Sequence, residues 1–456
     1  MSDPERTSSL VRGLVLLLLG TAPLLAGAVH EPVFVPLLVG SGLAGLVALR
    51  RAPGTFRQLL PGLWLALGLV ALAVVQLVPL PPFVLRTLSP GSFAFYENAA
   101  LVRPFTAWKP ISVSPPDTLR GLAFLAGFAL LSIAVAHGFS EGRWRRRLLG
   151  LVVLAGLALT LVALLQAVSP EPRRLYGLWQ PRWDWAVFGP YVNRNHFAGY
   201  VAMAAALSLG FALEALARLR SAWGRRRQGI LLLGEEEGQA VVRAAAVVMV
   251  VVAGLVASRS RGGVSAFAFA ALAMSFAAGG RRRLTALALA LLVGTGVVWI
   301  GLGGVIAAFE ARGIRGSRID LWRDMLPMAR RFPLLGDGWN AFASAYPWYQ
   351  TVWRTDWIGE AHNDYLQALL DGGVVGFALV LGLFFLALRG ARRRASRSPL
   401  ELGLFGAIAG FAFHELVDFN GQIPANAATF VALAALAVSP RDDAGAHGLD
   451  RRSRRP

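Results

Sequence analysis

Twelve apolar stretches recur along the chain, near residues 10–29, 33–49, 59–78, 118–137, 148–168, 197–216, 241–258, 263–279, 284–304, 374–389, 400–418 and 422–439. Each approaches the roughly 20 residues that a helix needs to cross hydrocarbon. The sequence therefore predicts an all-α, polytopic membrane protein of about 12 transmembrane helices. Composition agrees: 16% of the 456 residues are charged and 55% are hydrophobic. Soluble domains carry about 25% charged residues, so this chain has too little polar surface to solvate a globule of its size. Cysteine is absent, which removes disulfide scaffolds, thiol nucleophiles, iron–sulfur clusters and cysteine-ligated zinc.

The formal net charge of +19 would by itself suit a nucleic-acid partner, but its distribution does not. Basic clusters alternate with the spans: Arg50, Arg51 and Arg57; Arg143 and Arg145–Arg147; Arg218–Arg227; Arg281–Arg283; Arg389–Arg397; and Arg451–Arg455. The positive-inside rule puts all of them in the cytoplasm, with both termini. Nearly all the excess charge is then an orientation signal in short loops that offer no continuous groove, and no nucleic acid is expected to bind. Arg6, Arg12 and the small residues Ala26-Gly27-Ala28 resemble a signal peptide, yet the spans that follow favour an uncleaved first helix. Repeats and low-complexity tracts are absent, so residues 1–456 form one integral membrane domain. Its outer excursions fall at 79–117, 169–196 and 305–373, the last a large periplasmic loop, and 440–456 form a basic cytoplasmic tail.

In the long loop, Leu321, Trp322, Met325, Met328, Ala329 and Phe332 share one helical face, with Asp320, Arg323, Asp324, Arg330 and Arg331 largely opposite. This pattern predicts an amphipathic helix at the membrane surface, bent at Pro327 and ended by Pro333. Gly336 and Gly338 then allow a tight turn. Trp339, Phe342, Tyr346, Trp348, Tyr349, Trp353 and Trp357 follow, as an interfacial belt or a stacking surface for sugars. His362-Asn363-Asp364-Tyr365 opens a short helix that ends at Gly372-Gly373, with Asn363 as its N-cap. An imidazole there feels the positive end of the helix dipole, which keeps it available as a proton acceptor. Taken alone, a loop histidine is more often a hydrogen-bonded structural residue.

Ser258-Arg259-Ser260-Arg261-Gly262-Gly263 lies between two spans at the outer boundary, with no acidic residue in the connection. Charge near hydrocarbon is costly and is usually kept for function. Guanidinium groups suit phosphate, so these arginines point to a lipid-borne phosphate or diphosphate; snorkelling to headgroups is the plainer alternative. Arg318, with Arg312 and Arg315, stands at the entry to the long loop, and Arg194 and His196 precede the sixth span.

Four segments together carry a family likeness: VNRNHFAGY at 192–200, SRGG at 260–263, SRIDLW at 317–322 through PLLGDGWNAF at 333–342, and AHNDYLQALLDGG at 361–373, with HELVDFNGQIPANA at 414–427 a weaker fifth. In them the sequence resembles the bacterial O-antigen ligase and polymerase superfamily of membrane glycosyltransferases. The resemblance implies a donor glycan on undecaprenyl diphosphate and transfer, without metal or other cofactor, to a glycan, lipid A core or protein hydroxyl. It implies the outer face of the inner membrane as the place of reaction. Residue by residue, it matches Arg261, Arg318 and His362 to the catalytic positions, with Arg259, Arg194, Asn195 and Asn363 as substrate contacts.

Two other functions fit parts of the pattern. Twelve spans with inner termini and a central basic loop at 217–243 are also what a six-plus-six carrier or flippase shows, but carriers place polar groups near the midplane. His414-Glu415-Leu416-Val417-Asp418 resembles a metalloprotease site but lacks the second histidine of the zinc signature. His414 and Asp418 are expected instead to make a polar contact near the outer end of the eleventh span.

Overall fold

The computed structural model describes residues 3–51, 60–100, 106–181, 187–225, 234–278, 318–351 and 357–439. In chain order its α-helices are α1 (Asp3–Thr21), α2 (Glu31–Arg51), α3 (Leu60–Leu77), α4 (Pro82–Leu88), α5 (Pro90–Ala99), α6 (Pro115–Gly138), α7 (Gly142–Ala167), α8 (Arg194–Arg225), α9 (Glu236–Ala257), α10 (Arg261–Ala278), α11 (Arg318–Arg331), α12 (Phe342–Ala345), α13 (Asp364–Arg394), α14 (Pro399–His414) and α15 (Pro424–Val438). Among the described residues the only extended pairings are isolated bridges, such as Leu80 with Lys109. The regular structure is therefore helical, as expected.

Seven of the described helices, α2, α6, α7, α8, α9, α10 and α13, are long and apolar enough to cross a membrane. Shorter apolar helices cover Ser8–Leu24, Pro61–Leu77, Pro399–His414 and Pro424–Val438. The described helices thus overlie every expected span except the ninth, but only seven reach crossing length. That ninth span, at 284–304, lies outside the described residues. So do Arg57, Arg226, Arg227, Arg281–Arg283, Arg312, Arg315, Trp353 and the tail at 440–456.

α8 is the centre of the bundle. Every residue from His196 to Gly210 is buried, and α7, α9, α10 and α14 pack around it. Its run of small residues, Ala202 and Ala204–Ala206, lets those backbones come close, the usual device where lipid removes a hydrophobic drive between helices. α13 packs on α3, α14 and α15, and α6 joins α2, α3 and α15. Proline opens α4, α5, α6, α14 and α15, where its missing N–H leaves nothing unsatisfied.

The bundle has two chemically different ends. At one, Arg145 of α7 grips Glu401 of α14 with two 2.7 Å hydrogen bonds and donates a third to the Leu436 carbonyl of α15. Both side chains of this pair are 4% exposed, and Ser398 caps α14 by accepting from the Glu401 N–H. Arg12 with Glu141 and Arg146 with Glu214 gather at the same end. The other end carries the starts of α8, α10, α11, α13 and α15 and the end of α14.

There α11 covers the large loop. Leu321, Met325, Met328 and Phe332 form its buried face, as the sequence predicts, but that face does not lie on a membrane. It packs against Val113, Phe342, Tyr346, Ala361 and Leu370 of the protein itself. Asp324 turns inward too, accepting from Tyr346 Oη and from the Thr351 N–H and hydroxyl. Of the six described residues of the expected aromatic belt, three are therefore core: Trp339, Phe342 and Tyr346 are buried, Tyr349 is half-buried, and Trp348 and Trp357 are exposed.

The loop is anchored where α13 breaks. Gly373 has φ 62° and ψ −163°, a region that only glycine occupies without strain. The break frees the N–H groups of Val374 and Val375, which donate to the carbonyls of Pro333 and Leu334 at 2.8 and 3.2 Å. Gln76 of α3 seals the junction, donating to the Leu335 and Asp371 carbonyls and accepting from the Trp339 N–H. Gly336 and Gly338 both have positive φ, in keeping with the tight turn expected there.

Candidate functional site

Five separate parts of the chain converge at the outer end of the bundle. Asn363 caps α13 as expected, its Oδ1 accepting from the N–H groups of Tyr365 and Leu366 at 3.1 and 3.0 Å. The preceding His362 is held at φ 54°, and Trp322 of α11 donates to the Ala361 carbonyl just before it. The turn from Glu415 to Ile423, between α14 and α15, docks on this helix start. Gly421 and Gln422 donate to the Asp364 carboxylate, and the Asp364 N–H donates to the Glu415 carbonyl.

Phe419 in this turn lies between two imidazoles. Its ring meets His362 at 4.8 Å and His196 at 4.5 Å between centroids, edge to face in both pairs. Asp418 stands between His196 and a third imidazole: His196 Nε2 is 3.8 Å from Asp418 Oδ1, and His414 Nε2 is 3.6 Å from Oδ2. The expected contact between His414 and Asp418 is therefore present. Arg318, at the start of α11, donates from Nη1 to the Val417 carbonyl. Gly262, next to Arg261 at the start of α10, closes over His414; a Cβ there would lie 2.7 Å from His414 Nε2.

Of the residues singled out from sequence, the structure joins His362 and Arg318 through the 415–423 turn and sets Arg261 beside it through Gly262 and His414. Asn363 contributes as a cap. Arg194, Arg259 and Arg261 are exposed and Asn195 half-buried; Arg194 and Asn195 open α8 immediately before His196, and Arg259 lies two residues before Arg261.

The electrostatics of the turn come from burial. Burial pushes Asp418 up to about 6, against the pull of Arg318. Glu415 is raised well above the ordinary carboxylate range, first by burial and then by Asp364. Farther along the loop, burial with Asp371 nearby raises Asp337 in the same way. Two guanidinium groups and a half-buried imidazole thus stand at an edge whose inner wall is carboxyl groups and neutralisable imidazoles. Such an edge can hold an anion and receive a proton.

Phe419, Asn420, Asn426 and Gln76 are parts of this architecture that sequence reasoning does not single out. The weak likeness of HELVDFNGQIPANA was the available signal for the first three; Gln76, inside an apolar span, is marked only by its polarity.

No curated protein matches the chain. Residues 244–381 match the family model described as O-antigen ligase, a segment that holds Arg259, Arg261, Arg318, His362 and Asn363, and this match supports the chain's place in the O-antigen ligase and polymerase superfamily of bacterial membrane proteins.

Proposed function

We propose that the protein is a glycosyltransferase that moves a glycan from undecaprenyl diphosphate to an acceptor hydroxyl at the periplasmic face, as an O-antigen ligase or a surface-polysaccharide polymerase. The observation that supports this reading is the attachment of Arg318 to Val417, His362 to Phe419 and Gly262, next to Arg261, to His414, all on one turn at the bundle end opposite the basic ion pairs. In the reaction, the acceptor oxygen bonds to the anomeric carbon as the bond from that carbon to the diphosphate oxygen breaks. Negative charge grows on the departing diphosphate. Arg261 and Arg318 stabilise it as fixed cations, and His362 takes the acceptor proton or orients its hydroxyl. Arg194, Asn195, Arg259 and Asn363 bind the donor. No metal is needed, because guanidinium groups take the place of a cation.

Exchanging Arg261, Arg318 or His362 for Ala in the native host is expected to abolish glycan transfer while the protein stays in the membrane. Full activity in any one removes that residue's role. Deleting the gene separates the two forms of the reaction. Single repeat units on the acceptor with no long chains indicate a polymerase; free lipid-linked polymer with bare core indicates a ligase.

One observation favours a carrier instead: α13 is discontinuous at Gly373, beside the buried Asp371 and Asp337, a feature of transporter binding sites. Transfer of glycan by detergent-solubilised protein, where no gradient exists, separates the two readings.

A further inference from the structure

A buried hydrogen-bond chain runs behind the site, and its direction can be worked out atom by atom. Asn426 Nδ2 lies 2.8 Å from the His196 carbonyl, which only accepts, and Tyr191 Oη donates to Asn426 Oδ1 at 2.8 Å. That fixes the Asn426 amide. Its Nδ2 also lies 2.8 Å from Asn420 Oδ1, so Asn420 accepts there and presents its own Nδ2 to His414 Nδ1, at 3.3 Å. His414 Nδ1 must then carry a lone pair, and the neutral ring bears its proton on Nε2, the atom facing Asp418. Asn420, Asn426, His414 and Asp418 are each no more than 2% exposed, so water does not compete for these roles.

The chain ends on the turn that holds Arg318. Asp418 Oδ1 accepts from the Phe419 N–H at 3.0 Å, Oδ2 lies 3.6 Å from His414 Nε2, an electrostatic contact longer than a hydrogen bond, and the neighbouring Val417 carbonyl accepts from Arg318. Asn420 also donates its backbone N–H to Glu415 Oε2 at 2.7 Å, so the same residue fixes both ends of the turn.

We propose that His414, locked by Asn420 in its Nε2–H form, is a positioning residue that holds the Asp418–Phe419 turn and thereby sets Arg318 and the His362 imidazole. His414 itself touches neither substrate. The charged and titratable groups around it are Asp418 and Glu415 from the turn, Arg318 from α11, Arg261 from α10, whose neighbour Gly262 packs on the ring, His196 from α8, and Asp364 and His362 from the start of α13. This inference rests on the transferase reading given above.

The test uses full-length purified protein in detergent, a labelled lipid-linked glycan donor and an acceptor, with kcat and KM measured from pH 5.5 to 8.5. His414→Gln keeps an N–H for Asp418 and cannot titrate; it is expected to retain kcat within about three-fold, since one donor is exchanged for another. His414→Leu fills the site without a polar atom, losing the hydrogen bond from Asn420 and the 3.6 Å contact with Asp418, and is expected to lower kcat at least about ten-fold, the scale of one lost buried hydrogen bond. Asn420→Asp presents an acceptor to Nδ1, so the ring needs a second proton to keep Nε2–H. Its pH optimum is expected to shift to the acid side of wild type.

Equal losses in His414→Gln and His414→Leu, full activity in His414→Leu, or a wild-type pH profile in Asn420→Asp would overturn the inference while active wild type upholds the transferase reading. Should folding of His414→Leu fail, the Gln variant and the Asn420→Asp profile still decide. Wild-type protein that transfers nothing would overturn the reading of the site, and this inference with it.

Discussion

Replacing Gly373 by Ala tests how the large loop is held over the site. The native backbone there, φ 62° and ψ −163°, lies where a side chain costs about 1–3 kcal/mol of strain. A Cβ would also fall on the carbonyl carbon and oxygen of Leu334 and within 2.5 Å of the Leu335 nitrogen. These are backbone atoms, so the loop must move away. Movement breaks the bonds from Val374 and Val375 to Pro333 and Leu334, each worth about 1 kcal/mol. Strain and lost bonds together come to roughly 3–5 kcal/mol, a large part of the roughly 5–15 kcal/mol by which a folded protein is stable. Gly359→Ala is the control, because nothing lies within 4 Å of a Cβ at that position. The assay is thermal unfolding of purified protein in detergent, followed by the fraction that stays monodisperse. Gly373→Ala is expected to melt well below wild type and Gly359→Ala beside it. A Gly373→Ala protein that melts with wild type would refute the docking of residues 333–338 in the helix break.

Other perturbations probe other parts of the fold and site. Arg145→Met or Glu401→Leu alone leaves a charge buried at 4% exposure and is expected to destabilise by about 3–5 kcal/mol; the double variant should recover most of that loss in the same melting assay. Asp418 titrates at about 6 in the fold because of burial, above its ordinary value, so the folded state binds the extra proton. Its contribution to stability is therefore present below about pH 4 and lost as pH rises through about 6. Asp418→Asn should flatten that part of the stability profile between pH 4 and 7, measured by melting at successive pH values. Gly262→Ala presses a methyl group to 2.7 Å from His414 Nε2 and is expected to lower transfer several-fold with a small change in melting temperature.

The spans were legible because hydropathy alone fixes where a helix can cross, but their ends were not. α8 runs from Arg194 to Arg225, past the expected 197–216, and α7 starts at Gly142 rather than near 148, because charged residues extend a helix beyond the hydrocarbon without breaking its hydrogen bonds. The cap at Asn363 and the break at Gly372-Gly373 were readable from local chemistry. The amphipathic face of α11 was readable as well, but not its partner: periodicity reveals an apolar stripe and is silent on whether lipid or Phe342 and Tyr346 cover it. The site shows the same division. Arg261, Arg318 and His362 stand out as polar residues next to apolar spans. Their link depends on contacts between residues far apart in the chain, Arg318 with Val417, His362 with Phe419, Gly262 with His414 and His196 with Asp418, which no local pattern records.

The most direct test is glycan transfer by the purified protein in detergent, with labelled glycan on undecaprenyl diphosphate, an acceptor and excess chelator. Wild-type protein is expected to release undecaprenyl diphosphate and label the acceptor, and Arg318→Ala and His362→Ala to do neither while remaining monodisperse. Labelled acceptor from either variant at the wild-type rate, or a wild-type protein that binds donor and never transfers it, would contradict the assignment of the site.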